Sequence, residues 1–596
     1  MKKFLARWFQ TNGVLVDEIP QKVHNAILRI KRLPWPVRWV YPVVVALVEW
    51  VFPLFLFGKL SRASCLSSSD FEGFQSLLHH HRIFWVRLSF LLVRMPLWDQ
   101  VWGDQKPSLK KAHPLQGRLT YTVGQNEWDV IVIGSGAGGA PVASRLAQKG
   151  YRVVVVEAGD LVEPQTTSYT IEHYFYKQGC TISTSKGIVL SLAGSTVGGT
   201  TPVNSGTCFR PTSLALQEWD QLLNTCFATS GELDPYFEEV EKILGVYIPD
   251  RSLLGNSAYL FEKGLERMGR KGAYVLARNA PGCEGSGRCC FVCPTGSKNG
   301  TDRSFLPLAI SAGAQILARS YVTKVTENKD GVTVCGLASG SPFFLKAKKL
   351  VIAGGAFESP KLLRTNHLGK YWRRAGDCFK THPASKVFAL FDEPVYGGHG
   401  IPQSLGYRAP ELPRVVFEGI FTPPSAAAPL IQAVGARHRF WMERYDYVAS
   451  FAFLLAERAS GKVSFLHDWP LIRHPLMKED VHDIVCVVKL IGEAFFHAGA
   501  KKVLLPLAGI INEFDSLEQL QGFDPRVVKT TQVMTSGFHP QGTAGMGRVV
   551  DTNLKLMGTN HVYLCDASVL PLSPRVNPQI TIMGLSLRLA DHMLIS

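Results

Sequence analysis

Between Trp128 and Asp160 the chain reads WDVIVIGSGAGGAPVASRLAQKGYRVVVVEAGD. Asp129 to Ile133 is an apolar run of strand length. Gly134, Gly136 and Gly139 follow in GxGxxG spacing, a helical pattern comes next, and a second apolar run from Tyr151 to Val156 ends on Glu157. Strand, tight turn, helix and strand in that order form a crossover between two parallel strands, which commits the chain to an α/β sheet with helices on its faces. The first glycine permits the turn, the second lets a pyrophosphate approach the backbone, and the third lets helix and strand pack closely. Phosphate then meets the free N–H groups and positive end of a helix, and Glu157 is placed to accept hydrogen bonds from a ribose. The reading is a dinucleotide site; the alternative is a Rossmann unit that has lost its ligand. This fingerprint does not by itself separate FAD from NAD.

The rest of the chain is too long for one core. With 596 residues, 46% of them hydrophobic and 19% charged, two or more domains are expected and a disordered chain is excluded. The net charge of +16 is concentrated near the start, where Lys2, Lys3, Arg7, Lys22, Arg29, Lys31, Arg32 and Arg38 adjoin an apolar run. That placement points to a membrane surface. No basic recognition helix or nucleic-acid motif is present, so nucleic acid is not an expected partner. No apolar stretch followed by a small-residue cleavage site marks a signal peptide, so the expected location is the reducing, cytoplasmic side, with free thiols.

Residues 1–125 read as a helical extension. Pro42 to Phe57, PVVVALVEWVFPLFLF, is nearly all apolar, but it falls short of the ~20 residues a spanning helix needs, and it carries Glu49. A span, in-plane insertion and packing on the enzyme are all open; peripheral or monotopic association is the expectation. Ser69 or Asp70 is expected to cap a further helix in which Phe71, Phe74, Leu77, Leu78, Phe84, Trp85, Leu88, Leu91 and Leu92 recur near helical spacing. His79, His80 and His81 cannot all face one way on it, so no metal site is expected there.

Downstream motifs separate the cofactors. The run GSTVGGTTPVNSGTCFRP from Gly194, and VIAGGAFESPKLLRTNHLG from Val351, resemble the two signatures of the glucose–methanol–choline (GMC) oxidoreductases. The departures are Ser195, Cys208 and the Asn366-His367 pair. The resemblance implies FAD, with Gly198 and Gly199 passing close to the flavin and Asn204 bonding it. Val203 stands where some members carry the histidine that attaches FAD covalently, so non-covalent FAD is implied. Ser320 to Val325 resembles the strand whose valine backbone, here Val322, meets the adenine.

The C-terminal block, from HPQGTAGMG at His539 through CDAS to NPQIT, resembles that of the same family. It implies that His539 and Asn577 face the reactive end of the flavin and that Asp566 lies near the ribityl and pyrophosphate groups. The chemistry suits such a pair. An imidazole can take the proton of an alcohol, and an amide NH₂ can hold the alkoxide oxygen. Pro578 opens an expected helix, Gln579 to Met593, whose positive end would favour an anionic reduced flavin. His382 and His561 are secondary candidates, each read first as structural.

Cys283, Cys289, Cys290 and Cys293 crowd one segment. Thiolates so spaced could bind an iron–sulfur cluster or zinc, or form a redox disulfide. The segment is similar to that of long-chain fatty alcohol oxidases and their bacterial relatives, which implies no required metal; packed thiols or a local disulfide are expected.

The expected architecture is a Rossmann-like FAD domain assembled from 126–375, with some substrate-domain pieces, and 527–596, plus a sheet-and-helix substrate domain at 376–526. The resemblance implies oxidation of a hydrophobic primary alcohol by hydride transfer to flavin N5, with oxygen, a quinone or a partner protein as acceptor. A sterol or other lipid-alcohol dehydrogenase and a non-redox lyase of the same family are the alternatives.

Overall fold

The computed structural model describes residues 1–595 except Thr184 and Lys186. Glu127–Ile133 lies at the centre of a seven-stranded sheet. It pairs in parallel with Val153–Val156, Val130 opposite Val153, and with Ser341–Ile352, Ile133 opposite Ile352. Gln315–Leu317 and Val562–Leu564 extend the parallel part, and Ser320–Asn328, Gly331–Ala338 and Ser341–Ile352 form an antiparallel meander. Val130, Ile131, Val132 and the four valines from Val153 are buried, as strands covered on both faces must be. The helices Gly139–Gln148 and Gln579–Ile595 contribute Val142, Leu146, Ile580, Met583 and Leu587 to this core. The α/β architecture and the C-terminal helix agree with the sequence reading.

A nine-stranded sheet builds the second domain, with Pro383–Leu390 and Val448–Leu455 antiparallel near its middle. Residues alternate across it. Val387, Ala389, Phe451 and Phe453 enter a core shared with the helices Asn256–Arg267 and Lys478–Ala498. On the other face Ala384, Lys386, Ala452 and Glu418 border a cavity. This sheet also takes Ile188–Ser191, Tyr274–Val275 and Met534–Gly537, so it draws on residues from both sides of the 376–526 segment. Sequence order alone could not place those short strands.

The N-terminal extension is helical and shares one core with the substrate domain. Phe4, Trp8, Tyr41, Val45, Val48, Phe71, Phe74 and Phe90 pack with Phe421, Ile431, Trp441 and Leu504. The apolar run lies within one continuous helix, Trp35–Phe57, which loosens to a π turn at Leu47–Val51 just ahead of Pro53; a proline removes an N–H from the helical ladder, and a local π turn accommodates the loss. Two expectations need correction. The next helix is capped by Ser67, whose Oγ accepts from Asp70 N at 3.1 Å, not by Ser69 or Asp70. The pattern read as one helix from Phe71 to Leu92 is two, Ser68–His80 and Phe84–Arg94.

Candidate active site

Both sheets and the extension wall one cavity of about 790 Å³. Gly134, Gly136, Glu157, Gly199, Asn204, Val322, His539, Asp566, Asn577 and Pro578 all line it, although they lie in separate stretches of the chain.

The nucleotide end is built from backbone. Gly134 has φ +99°, and a Cβ there would stand 2.3 Å from Ala353 O. A Cβ on Gly139 would meet Gly134 O at 1.9 Å. The turn and the close helix–strand packing assigned to these glycines are therefore real requirements. Gly199, at φ +60°, would place a Cβ 2.8 Å from Gly136 Cα, so two glycine loops meet backbone to backbone. Gly138 is tighter still, its Cβ falling 1.8 Å from Cys565 O; it is not one of the three fingerprint glycines, and only the folded arrangement reveals its constraint. Ser135 Oγ ties this turn to both neighbours, donating to Glu157 Oε2 at 2.6 Å and accepting from Gly198 N at 2.9 Å. Burial raises the Glu157 carboxyl, opposed by the bonds from Ser135 and Gly159.

These features fit FAD. The glycine turn and the helix after it would take the pyrophosphate, Glu157 a ribose, the Val322 backbone the adenine, and the second glycine loop the flavin. Two of the implied contacts carry additional structural duties. Asn204 Nδ2 donates to Gln579 Oε1 at 2.5 Å and its Oδ1 accepts from Gly206 N at 2.9 Å, which fastens the loop to the start of the last helix. Asp566 accepts from Gly355 N at 2.8 Å, Ser359 Oγ and Ser568 N at 2.7 Å, so it stitches the second signature run to the C-terminal block.

Elsewhere on the cavity wall His539 leaves the second sheet just after Met534–Gly537, its backbone N–H donating to Thr381 O at 3.1 Å. Its Nδ1 lies 3.1 Å from Nδ1 of His382. His382 is buried beneath it, with its Nε2 against Ser573 Oγ and 3.0 Å from the Gln541 amide. Burial, followed by the neighbouring His382, pushes His539 well below the ordinary imidazole value. Burial likewise brings His382 to about 4. Both rings are neutral at pH 7 and share one proton between their Nδ1 atoms. Gln541 Nε2 is the amide atom that faces His382 Nε2, and Gln541 Oε1 is buried without a protein partner among the described residues. With the amide turned so that Oε1 accepts from His382 Nε2–H, His382 Nδ1 accepts from His539 Nδ1–H, and the lone pair on His539 Nε2 is left free. Below this pair Glu457 Oε1 accepts from Thr381 N at 2.6 Å and His474 Nε2 at 3.2 Å. Burial alone would raise Glu457, but the His474 bond and the surrounding positive charge hold it at about 2.

Asn577 lies before the last helix and directs Nδ2 toward Glu418 Oε2 at 3.4 Å. Asn577 Oδ1 and Glu418 Oε1 are buried without a protein hydrogen-bond partner among the described residues. Burial raises Glu418 to about 7. Lys386 stands in the same lateral row of the sheet, with Ala452 between it and Glu418. Its Nζ donates to Thr422 Oγ1 at 3.0 Å, and burial brings it down to about 7. Sequence reasoning missed Glu418 and Lys386. Each sits in an apolar strand, and the one available signal was a charged residue on a face that alternation otherwise makes apolar.

His561 lies outside the cavity, on the far edge of the nucleotide sheet, where its N–H donates to Glu327 Oε1 at 2.7 Å. Among the described residues no group of three or more His, Cys, Asp or Glu is arranged to hold a metal, and all twelve cysteines are free. The four clustered thiols have separate partners: Cys283 accepts from Gly285 N at 3.5 Å, Cys289 from Arg278 at 3.1 Å, Cys290 meets Ser205 Oγ at 3.6 Å and Cys293 meets Thr295 Oγ1 at 3.1 Å. The segment braces the flavin loop through buried Lys298, which donates to Pro202 O at 2.8 Å, Asn204 O at 2.6 Å and Cys289 O at 2.7 Å.

The comparisons with known proteins agree with this geometry. Models of the GMC oxidoreductase family match residues 172–384 and 467–586, and a Rossmann-like NAD(P)-binding model matches 132–187. An uncharacterized GMC-type oxidoreductase of Mycobacterium tuberculosis is 32% identical over 78% of this chain and 75% of its own length. A long-chain-alcohol oxidase of Arabidopsis thaliana is 29% identical over 78% of this chain and 68% of its own. The crystal structure of a formate oxidase from Aspergillus oryzae superposes with a TM-score of 0.59 at 16% identity, covering 80% of this chain and 99% of that one, and so shares the fold. Fold, cradle and relatives agree that the chain belongs to the GMC oxidoreductase family and is an FAD-dependent alcohol oxidoreductase.

Proposed function

We propose that this enzyme oxidises a hydrophobic primary alcohol, of the long-chain class, to its aldehyde, with FAD held non-covalently. The observation that carries the reading is a single cavity lined both by His539 and Asn577 and by the apolar side chains of Leu33, Val37, Leu91, Leu92 and Met95. An apolar chain can lie against those side chains while its hydroxyl reaches His539 and Asn577. His539 Nε2 takes the hydroxyl proton as general base. The Asn577 amide steadies the oxygen as it becomes anionic, and Glu418 orients that amide. When bound, FAD supplies the acceptor for the hydride leaving the carbinol carbon. The name of the Arabidopsis relative supports both the alcohol class and oxygen as acceptor; a quinone or partner protein is the second acceptor to test.

The test is anaerobic reduction of the flavin band by dodecanol in mild detergent. Bleaching is expected, and admitting air then tests oxygen as acceptor. His539→Ala is expected to retain the oxidised flavin band and to slow bleaching by roughly 10²–10⁴-fold, the range for loss of a general base. An undiminished rate in that variant removes His539 from the mechanism. A bound flavin that no alcohol bleaches removes the oxidoreductase reading of the substrate and leaves the lyase.

A further inference from the structure

Building on the lipid-alcohol reading, we propose that the helix Trp35–Phe57 is an in-plane anchor in one leaflet of an anionic bilayer, and that the catalytic cavity opens beside it, so that substrate passes from the acyl layer to His539 without crossing water. The helix runs 23 residues with only 33% of its apolar stretch buried. Its inner face is secured to the protein: Tyr41, Val44, Val45 and Val48 enter the core of the extension, and Tyr41 OH donates to Val93 O at 2.7 Å. The outer face shows Trp39 at 73% exposure, Val43 at 61%, Trp50 at 52% and Phe55 at 76%, with Leu47 and Leu54 between them. Trp39, Val43, Leu47, Trp50 and Leu54 follow one another by three or four residues, which keeps them in one stripe with Phe55 beside its end, about 24 Å long at 1.5 Å per residue. Contiguous apolar surface of this kind on a soluble protein marks a contact with something apolar.

Charge names the occupant. Between positions 31 and 62 stand Lys31, Arg32, Arg38, Lys59 and Arg62 against one carboxylate, Glu49. Glu49 is buried on the inner face, accepting from Ser64 N at 3.0 Å. The five cations are exposed and bracket the stripe at both ends; Arg32 pairs at 3.7 Å with Glu172 and Lys59 at 3.6 Å with Asp70, while Lys31, Arg38 and Arg62 make no ion pair among the described residues. The Arg62 guanidinium lies 3.6 Å over the Trp50 ring, a pairing of apolar ring and charged tip suited to the headgroup boundary. Cations framing an aromatic stripe complement an anionic lipid surface. Spanning is disfavoured because the helix is packed along its length and Trp35 Nε1 donates to Asp468 Oδ1 at 3.0 Å; an upright helix would carry charged surface of the substrate domain into hydrocarbon.

The same elements line the catalytic cavity, whose proposed mouth lies among them. Val37 and Tyr41 of this helix, Arg29 of the helix Ile19–Arg32 and Leu33 just after it, and Leu91 and Leu92 of Phe84–Arg94 line the space that His539 and Asn577 also line. Val37 and Leu33 are half-buried, at the boundary between cavity and outer stripe.

The experiment compares wild type with the Trp39→Glu/Trp50→Glu/Phe55→Glu variant, all three sites being outside the cavity lining. Holoenzyme is co-sedimented with vesicles of phosphatidylcholine alone and of phosphatidylcholine with phosphatidylglycerol. Turnover is followed with dodecanol loaded in the vesicles and with butanol in solution. Wild type is expected to sediment with the anionic vesicles, and the variant to lose at least tenfold in binding and in dodecanol turnover while keeping its butanol turnover. Val37→Trp, which narrows the mouth, is expected to bind vesicles normally yet turn over dodecanol more slowly. Equal vesicle binding by wild type and variant overturns the anchor, as does a discrete dimer that sediments with neither vesicle and is dissociated by the variant, which would make a second copy the occupant. Dodecanol turnover unaffected by Val37→Trp overturns the portal. If neither alcohol reacts, the oxidation reading fails while vesicle binding still tests the anchor.

Discussion

Glu418 gives the sharpest quantitative test of the site. It is 2% exposed, and burial raises it from 4.5 to about 7. The unfolded chain sheds this proton near 4.5 while the folded chain keeps it to about 7. Stability from this group is therefore complete below pH 4.5, declines across the window from 4.5 to 7, and stays low above it. The full loss is about 3 kcal/mol at 1.36 kcal/mol per pH unit. Glu418→Gln keeps a hydrogen-bonding side chain and removes the titration. A 596-residue chain unfolding as one unit has an entropy of roughly 1.2 kcal/mol/K, so the loss amounts to about 2–3 °C in Tm, and to more if the substrate domain melts alone. Thermal melts of both proteins at pH 4.5, 5.5, 6.5 and 7.5 should show wild type losing that much against the variant as pH rises. A difference constant across the series would refute the buried, proton-holding carboxyl. The same proton governs chemistry: ionised Glu418 accepts from the Asn577 amide more strongly, so flavin reduction should inflect near pH 7 in wild type and lose that inflection in the variant.

Lys386 tests the opposite sign. Its folded value of about 7 lies below the ordinary 10.5, so wild type loses stability as pH falls from 10.5 to 7, and Lys386→Met should gain roughly 4 °C on wild type across that window in the same melts. His382→Leu should leave FAD bound and slow flavin reduction by about 10²-fold, the scale of a misplaced catalytic group, because nothing then fixes the proton on His539 Nδ1; an unchanged rate removes His382 as a positioning residue. Gly138→Ala places a Cβ 1.8 Å from a backbone carbonyl, and the purified variant should lack the flavin band. Elemental analysis of the holoenzyme should find neither iron nor zinc in stoichiometric amount, and a full equivalent of either would reopen the role of Cys283, Cys289, Cys290 and Cys293.

Much of this protein was legible because its constraints are local. The run from Trp128 to Glu157 specifies strand, turn, helix and strand through spacing alone; Gly139 answers to Gly134 within the same turn, although Gly134 and Gly136 also meet Ala353 and Gly199 from distant segments. The block from His539 to Asn577 lies in one short stretch, so resemblance sufficed to name both residues as candidates, and both line the cavity. Tertiary structure decided whatever depends on distant partners. Gly138 is constrained by Cys565, far along the chain. Glu418 and Lys386 become site residues only when Val415–Glu418 and Pro383–Leu390 align across Val448–Leu455. His382 acquires its place beneath His539 only through the sheet that joins Pro383–Leu390 to Met534–Gly537. The apolar helix is the plainest case. Its hydrophobicity was visible in the sequence, but which side of it would be covered was not, because that is set by packing against the substrate domain and not by the order of its own residues.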